Sequence, residues 1–363
     1  MHRERMIQKR LLYIASQFDI EGNVASVEAL GEGFINDTFV VTTVGDAPNY
    51  ILQRKNHVVF PDVPSMMENI KAVTEHIKRK VADPMRETLT VISAKDGRLY
   101  VREDGNYWAM CLYIPNTLTY DRADSVELAY QGGVGIGRFQ SLLADFTLPL
   151  NETIKGFHNI RWRFEQWDAA IAADRVGRVR EVQQEIGWIE ARRQQMLTFW
   201  SRVESGEIPM RVTHNDTKIS NILFDATTKC VLCAIDLDTV MSSTSLNDFG
   251  DAIRSYTNTG AEDDRCLERV EMNIDMFRAY AEGYLSEQRA TMTESEKEWL
   301  AFSGLYITFE QVLRFLMDYI DGDRYYKTNY PDHNLVRTRA QYKLLQSMER
   351  QYDTMRDIIK SLV

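Results

Sequence analysis

The sequence predicts an α+β protein of two parts: a small strand-rich N-terminal lobe, residues 1–113, and a larger, mainly helical C-terminal lobe, residues 114–363. Three observations carry this expectation. Short apolar runs bounded by turn residues fill the first third, helical periodicity fills most of the rest, and one polar-flanked pair of strands interrupts the helices.

Residues 7–18 place Leu11, Ile14, Ala15 and Phe18 at helical spacing, which predicts an amphipathic helix. NVASVEAL, DTFVVTTV and NYILQR follow as strands, separated by the turns GEGFIN and GDAP. PSMMENIKAVTEHIKRKV reads as a helix with Met67, Ile70, Val73, Ile77 and Val81 on one face. TLTVISA and YWAMCLYI are two more strands around the turn KDGR. Beyond Ile114, VELAYQGGVGIGRFQSLLADF, the run from Phe164 to Val203, LERVEMNIDMFRAYAEGYL, EKEWLAFSGLYITFEQVLRFLMDYI and the closing stretch from Val336 read as helices. RVTHNDTKISNILFDATTKCVLCAIDLDTV is the exception, with strands ILF and VLCAI around a turn.

A length of 363 residues, 44% hydrophobic and 26% charged, is ample for a folded globular protein. The formal charge of -10 argues against a nucleic-acid backbone or an anionic membrane as partner, and no protein partner is evident. The charged start lacks the apolar stretch of a signal peptide, and no apolar run spans a bilayer, so a cytoplasmic location is expected. The four cysteines suit a reduced chain, and the Cys230/Cys233 pair lacks a second pair to complete a zinc site.

Several familiar patterns carry nothing. GGVGIG lies inside a helical stretch and reads as close helix packing. GxxxxGK[ST], HExxH and GxSxG are absent. GEGFIN is better placed: it joins two strands, so Gly31, Gly33 and Asn36 are candidates for contact with phosphates.

THNDTKISNILFD holds the chemistry. His214, Asp216, Lys218 and Asn221 form HxDxKxxN, which matches a kinase catalytic loop, with Asp and Asn five residues apart. Phosphoryl transfer needs a carboxylate, a cation and a metal ligand to converge. Asp216 and Lys218 are the catalytic candidates, and Asn221 a metal ligand. A second ligand should follow the next strand, which favours Asp236 of AIDLD. The Asp-Phe-Gly of LNDFGDAIR, which holds magnesium in protein kinases, reads instead as a helix start, with Asn247 or Asp248 capping and Asp251 in the first turn. His214 reads as a structural residue of the loop.

This order of segments resembles the aminoglycoside phosphotransferase and choline kinase superfamily. YILQRKN, RVTHNDTKISNILFDATT, IDLDT, DFGDAIR, LRFLMDYIDGD and YPDHNLVRTR are similar to segments of the N-acetylhexosamine 1-kinases. The resemblance implies a bilobal protein-kinase-like fold, ATP with Mg2+, and transfer to the anomeric hydroxyl of N-acetylglucosamine or N-acetylgalactosamine. It makes Asp216 the base and Asn221 and Asp236 the metal ligands, and puts Arg314 and Tyr325 in the sugar pocket, where a structural salt bridge is the rival role for Arg314. Adenine is expected against Leu112, Tyr113 and Ile114. Gln53 stands where most kinases place their ATP lysine, beside Arg54 and Lys55, with Glu68 or Glu75 as the partner acid. Relatives carry His where this chain has Phe34 and an aromatic residue where it has Ser255, both pocket-wall positions by that resemblance. The rivals are a kinase for another hydroxylated acceptor (another hexose, an aminoglycoside, choline or homoserine) and a nucleotide-binding protein without turnover.

Overall fold

The computed structural model describes residues 2–31 and 36–363. Gly33 and Phe34 lie outside the described residues. The elements run α1 (His2–Ala15), β1 (Val24–Ala29), β2 (Asp37–Thr43), β3 (Tyr50–Lys55), α2 (Val63–Lys78), β4 (Val91–Ile92), β5 (Val101–Glu103), β6 (Asn106–Leu112) and β7 (Thr117–Leu118). Then come α3 (Val126–Leu142), α4 (Ile160–Ala173), α5 (Gln183–Glu190), α6 (Arg193–Glu204), β8 (Arg211–Thr213), β9 (Ile222–Asp225), β10 (Val231–Ala234) and β11 (Met241–Ser243). Helices α7 (Ser245–Tyr256), α8 (Ile274–Gln288), α9 (Glu294–Ile320) and α10 (His333–Leu362) complete the chain. This is the α+β class that the sequence predicts.

Two compact units form. The first comprises Met1–Leu118, Asp145–Lys155 and Leu223–Met241; the second comprises Thr119–Ala144, Gly156–Ile222 and Ser242–Val363.

The first unit is built on an antiparallel sheet ordered β1-β2-β3-β6-β4, with β5 also pairing to β6. Tyr50 and Leu52 of β3 join Leu11 and Ile14 of α1, and Phe18 just beyond it, in the buried core. The period of two turns Gln53 and Lys55 to the other face. Strand β5 escapes the periodicity reading because it is only three residues long. Its hairpin turn, Asp104-Gly105, has both φ values positive, 46° and 75°, the geometry that an Asp-Gly turn favours. Helix α2 starts with Asp62, whose carboxylate accepts from the Ser65 amide at 3.1 Å. In the β10-β9-β7 sheet, Cys233 is buried, whereas Cys230 is exposed at the turn before β10.

The second unit is helical. GGVGIG lies in α3 and packs against α8: a Cβ on Gly133 would come 2.2 Å from the Tyr280 carbonyl, and one on Gly283 2.0 Å from that of Tyr130. Two long helical expectations break into pieces. The run from Phe164 to Val203 becomes α4, α5 and α6: Asp174 and Gly177, with left-handed φ of 35° and 72°, end α4, and α5 gives way to α6 over residues 191–192. In LERVEMNIDMF the helix begins only at Ile274, where the Asn273 side chain accepts from the amides of Asp275 and Met276. Cys266, immediately before that segment, is exposed. Among the described residues no helix is long and apolar enough to cross a membrane.

Candidate active site

The loop after β8 brings three of the expected residues together. Asn221 Nδ2 donates to the Asp216 carbonyl at 2.8 Å and to its Oδ2 at 2.9 Å. Lys218 Nζ lies 3.1 Å from the same Oδ2. Using Nδ2 in this way orients the Asn221 amide and leaves its Oδ1 as an acceptor without a partner among the described residues. His214 is fully buried, with its ring edge-on to Phe139 and its Nδ1 accepting from the Asp216 amide at 3.3 Å. It supports the loop rather than facing solvent.

The Asp-Phe-Gly aspartate has a structural position that the sequence reading missed. Helix α7 is capped by Thr244, not by Asn247 or Asp248, so Asp248 stands inside the helix and points at the loop. Its Oδ2 accepts from the His214 amide at 2.9 Å and its Oδ1 from the Asn215 amide at 2.7 Å. Asp251, one helical turn on, accepts from the Thr217 amide at 2.9 Å. Two carboxylates of one helix thus hold three loop amides, those of His214, Asn215 and Thr217, which lets Asn215 keep its left-handed φ of 66°. Burial raises the Asp248 carboxyl above the usual range against its donors. At Asp251 the same burial penalty is outweighed, chiefly by the Arg254 charge, and the carboxyl is lowered. The signal available in the sequence was the i, i+3 spacing of two acids on an otherwise buried helix.

Arg314 and Tyr325 line one cavity of about 490 Å³, together with Arg163, Arg175, Arg324 and Tyr326. The salt bridge considered for Arg314 does not form among the described residues. Its guanidinium instead lies 5.5, 5.7 and 5.5 Å from the ring centres of Phe157, Tyr325 and Tyr326. A buried relay joins this wall to the catalytic loop: His158 Nε2 faces the Asn215 carbonyl at 3.4 Å, and its Nδ1 is 2.7 Å from Glu310 Oε2. The other Glu310 oxygen is 3.3 Å from Arg163 Nε. Ser255 is not part of this cavity wall, and its hydroxyl donates back to the Ala252 carbonyl at 3.1 Å.

In the first unit the buried cation is Lys55. It is 4% exposed, and its Nζ lies 2.6 Å from Asp238 Oδ1 and 2.7 Å from Gln53 Oε1. Asn36 Nδ2 donates to the other Asp238 oxygen at 2.7 Å. The partner acid is therefore Asp238 of IDLD, not Glu68 or Glu75: Glu75 pairs with Lys71 and Lys78, and Glu68 is exposed on α2. Gln53, Lys55, Asp236 and Asp238 line a cavity of about 40 Å³, roofed by Met67 and Ile70 of α2 and Cys111 of β6. Burial pushes the Cys111 thiol up to about 11. Asp236 follows β10 with a left-handed φ of 57°. At the end of β6 the Leu112 and Tyr113 amides donate to the carbonyls of Thr90 and Asn49, both at 2.9 Å. The Ile114 amide has no acceptor among the described residues. Gly31 has a φ of 64°, and a Cβ there would meet nothing within 4 Å among the described residues.

Asn221 Oδ1 and the Asp236 carboxylate are oxygen donors of the kind magnesium takes alongside phosphates and water. Among the described residues no group of three or more His, Cys, Asp or Glu side chains forms a self-sufficient metal cage.

The chain is similar to an aminoglycoside phosphotransferase from Alicyclobacillus acidocaldarius, at 12% identity over 96% of each chain with a TM-score of 0.60. A spectinomycin phosphotransferase bound to ADP and spectinomycin matches at 11% identity over 95% of this chain and 98% of the other, with a TM-score of 0.59. A choline kinase from Cryptosporidium parvum matches at 13% identity over 99% of each, with a TM-score of 0.55. These likenesses give the kinase-like fold. Residues 26–290 match the model of the phosphotransferase enzyme family known as APH, and the chain belongs to that family.

Proposed function

We propose that the protein is an ATP-dependent sugar kinase that phosphorylates the anomeric hydroxyl of an N-acetylhexosamine, giving the 1-phosphate. The observation that carries a kinase reading is the Asp216, Lys218 and Asn221 cluster on a backbone braced by Asp248 and Asp251. Asp216 accepts the hydrogen bond of the acceptor hydroxyl and takes its proton as the phosphoryl group transfers. An anomeric hydroxyl is more acidic than an ordinary alcohol, so positioning by Asp216 contributes more than full proton removal. Lys218 supplies positive charge beside it. Asn221 Oδ1 and the Asp236 carboxylate would each offer magnesium an oxygen ligand, and the ion would neutralise charge on the phosphates. Lys55, Gln53 and the glycine turn serve the nucleotide phosphates, with Ile114 supplying the hinge donor to adenine.

The cavity containing Arg314 and Tyr325 supports a sugar acceptor: it has aromatic walls, donors and a volume suited to a monosaccharide. A coupled assay of ADP release over N-acetylhexosamines, plain hexoses, choline and aminoglycosides tests the reading. The expected outcome is release with an N-acetylhexosamine; release only with a different acceptor would replace it. A cationic acceptor such as choline is disfavoured by the Arg314 guanidinium in the cavity wall.

A further inference from the structure

The 490 Å³ cavity is unusual in its balance of charge. Four guanidinium groups line it, those of Arg163, Arg175, Arg314 and Arg324, against two carboxylates. Asp318 is no counterion to any of them. It accepts from the amides of Arg324, Tyr325 and Tyr326 at 2.9, 2.8 and 3.0 Å and from Asn334 Nδ2 at 2.8 Å, so it serves to fold the loop. Asp321 is shared by Arg175 at 3.0 Å and Arg324 at 4.0 Å. Glu310, behind the wall, is shared by Arg163 and His158. Arg314 is left with no ion-pair partner among the described residues.

Aromatic rings also flank Arg314. Three ring centres lie within 5.7 Å of its guanidinium carbon, and its N–H groups, a planar fork of donors, donate to no partner among the described residues. Arg163 is close enough to be affected: burial first, and then the Arg314 charge, lower its guanidinium below the ordinary value. Two neighbouring cations with one shared, already committed carboxylate favour an anion in the space between them and solvent. A fixed guanidinium fork matches the paired oxygens of a carboxylate, sulfate or phosphate better than single hydroxyls.

We infer that this cavity is a subsite for an anionic substituent, so that the preferred acceptor is a monosaccharide bearing a carboxylate, sulfate or phosphate, with its charged group on Arg314. The inference rests on the kinase reading for the word acceptor, but the binding it describes does not.

Calorimetry on the full chain tests it with matched probes: N-acetylglucosamine against its 6-sulfate, glucose against glucuronic acid, and sodium sulfate alone. At least one acidic sugar is expected to bind about tenfold or more tightly than its neutral counterpart, with the preference shrinking as salt rises. Arg314→Gln should remove the preference, and Arg314→Lys should restore only part of it. Arg324→Gln, at an exposed position whose replacement leaves the core intact, provides a second variant and should lower the preference about two- to threefold. Neutral sugars binding as well as acidic ones in the unmodified protein would overturn the inference, as would a preference that survives in folded Arg314→Gln. Sulfate alone binding as tightly as the sulfated sugar would reduce the cavity to a bare anion site and overturn the substrate claim. ADP release separates the two readings. Equal turnover of neutral and acidic sugars sinks this inference and keeps the kinase, whereas Arg314-dependent acidic-sugar binding without turnover of any probe does the reverse.

Discussion

Asp216, Asp236 and Asp248 are three aspartates with three different surroundings, and their substitutions should separate accordingly. Asp216→Asn keeps the shape of the loop but removes the proton acceptor; turnover is expected to fall about 10²- to 10⁴-fold with ATP affinity changed only a few-fold. Comparable turnover in the variant, measured by ADP release, would remove Asp216 from the role. Asp236→Asn should weaken dependence on magnesium. Asp248→Asn replaces one acceptor of two backbone amides with a donor, so it should lower the melting temperature first; equal loss of metal dependence from both variants, with folding intact, would contradict this division. Lys55→Met leaves Asp238 buried with one partner fewer and should cost about 3–5 kcal/mol in a denaturant titration. At this scale the sequence was most legible in the catalytic loop, because HxDxKxxN is contiguous and its spacing is itself the signal. Lys55 and Asp238 were harder to pair, since they are 183 residues apart and a strand position two removed from the expected one carries the cation.

Helices α3 and α8 meet through glycines, and the consequence can be weighed against a control. Gly133→Ala drives a methyl group into the Tyr280 carbonyl at 2.2 Å and should destabilise by about 1–3 kcal/mol, because helix backbone cannot yield as a side-chain tip can. Gly187→Ala in α5 meets nothing within 4 Å and should stabilise by about 0.5–1 kcal/mol. Thermal melts of the two variants are expected to move in opposite directions; matching shifts would contradict the packing argument. Element positions were legible wherever periodicity ran long, as in α2, α9 and α10. They were lost where single residues in left-handed conformations break a helix, as Asp174 and Gly177 do, because such a break leaves the apolar spacing on either side almost unchanged.

On the scale of the molecule, chain order and compactness diverge. A cut near residue 114 follows the sequence, yet residues 145–155 and 223–241 return to the first unit, carrying Asp236 and Asp238 with them. Contacts between distant segments decide this, and periodicity does not record them. Buried charge also ties stability to pH. Burial would raise Glu310, but His158, Arg163 and Arg314 hold its carboxyl at about 2, below the 4.5 of an ordinary glutamate. The unfolded chain therefore takes up this proton at a higher pH than the folded one, so the stabilisation is complete above about 4.5 and disappears as pH falls toward 2. The difference in unfolding free energy between the unmodified protein and Glu310→Gln should shrink across that window; a flat difference would refute the assignment.

The four cysteines give the molecule a built-in pair of labelling handles. Cys230 and Cys266 are exposed, one in each compact unit, while Cys233 is buried and the Cys111 thiol is held up at about 11. Thiolate is the reactive form, so a maleimide dye pair should take two fast equivalents per chain without mutagenesis. Each dye then reports on its own compact unit as nucleotide or sugar is added.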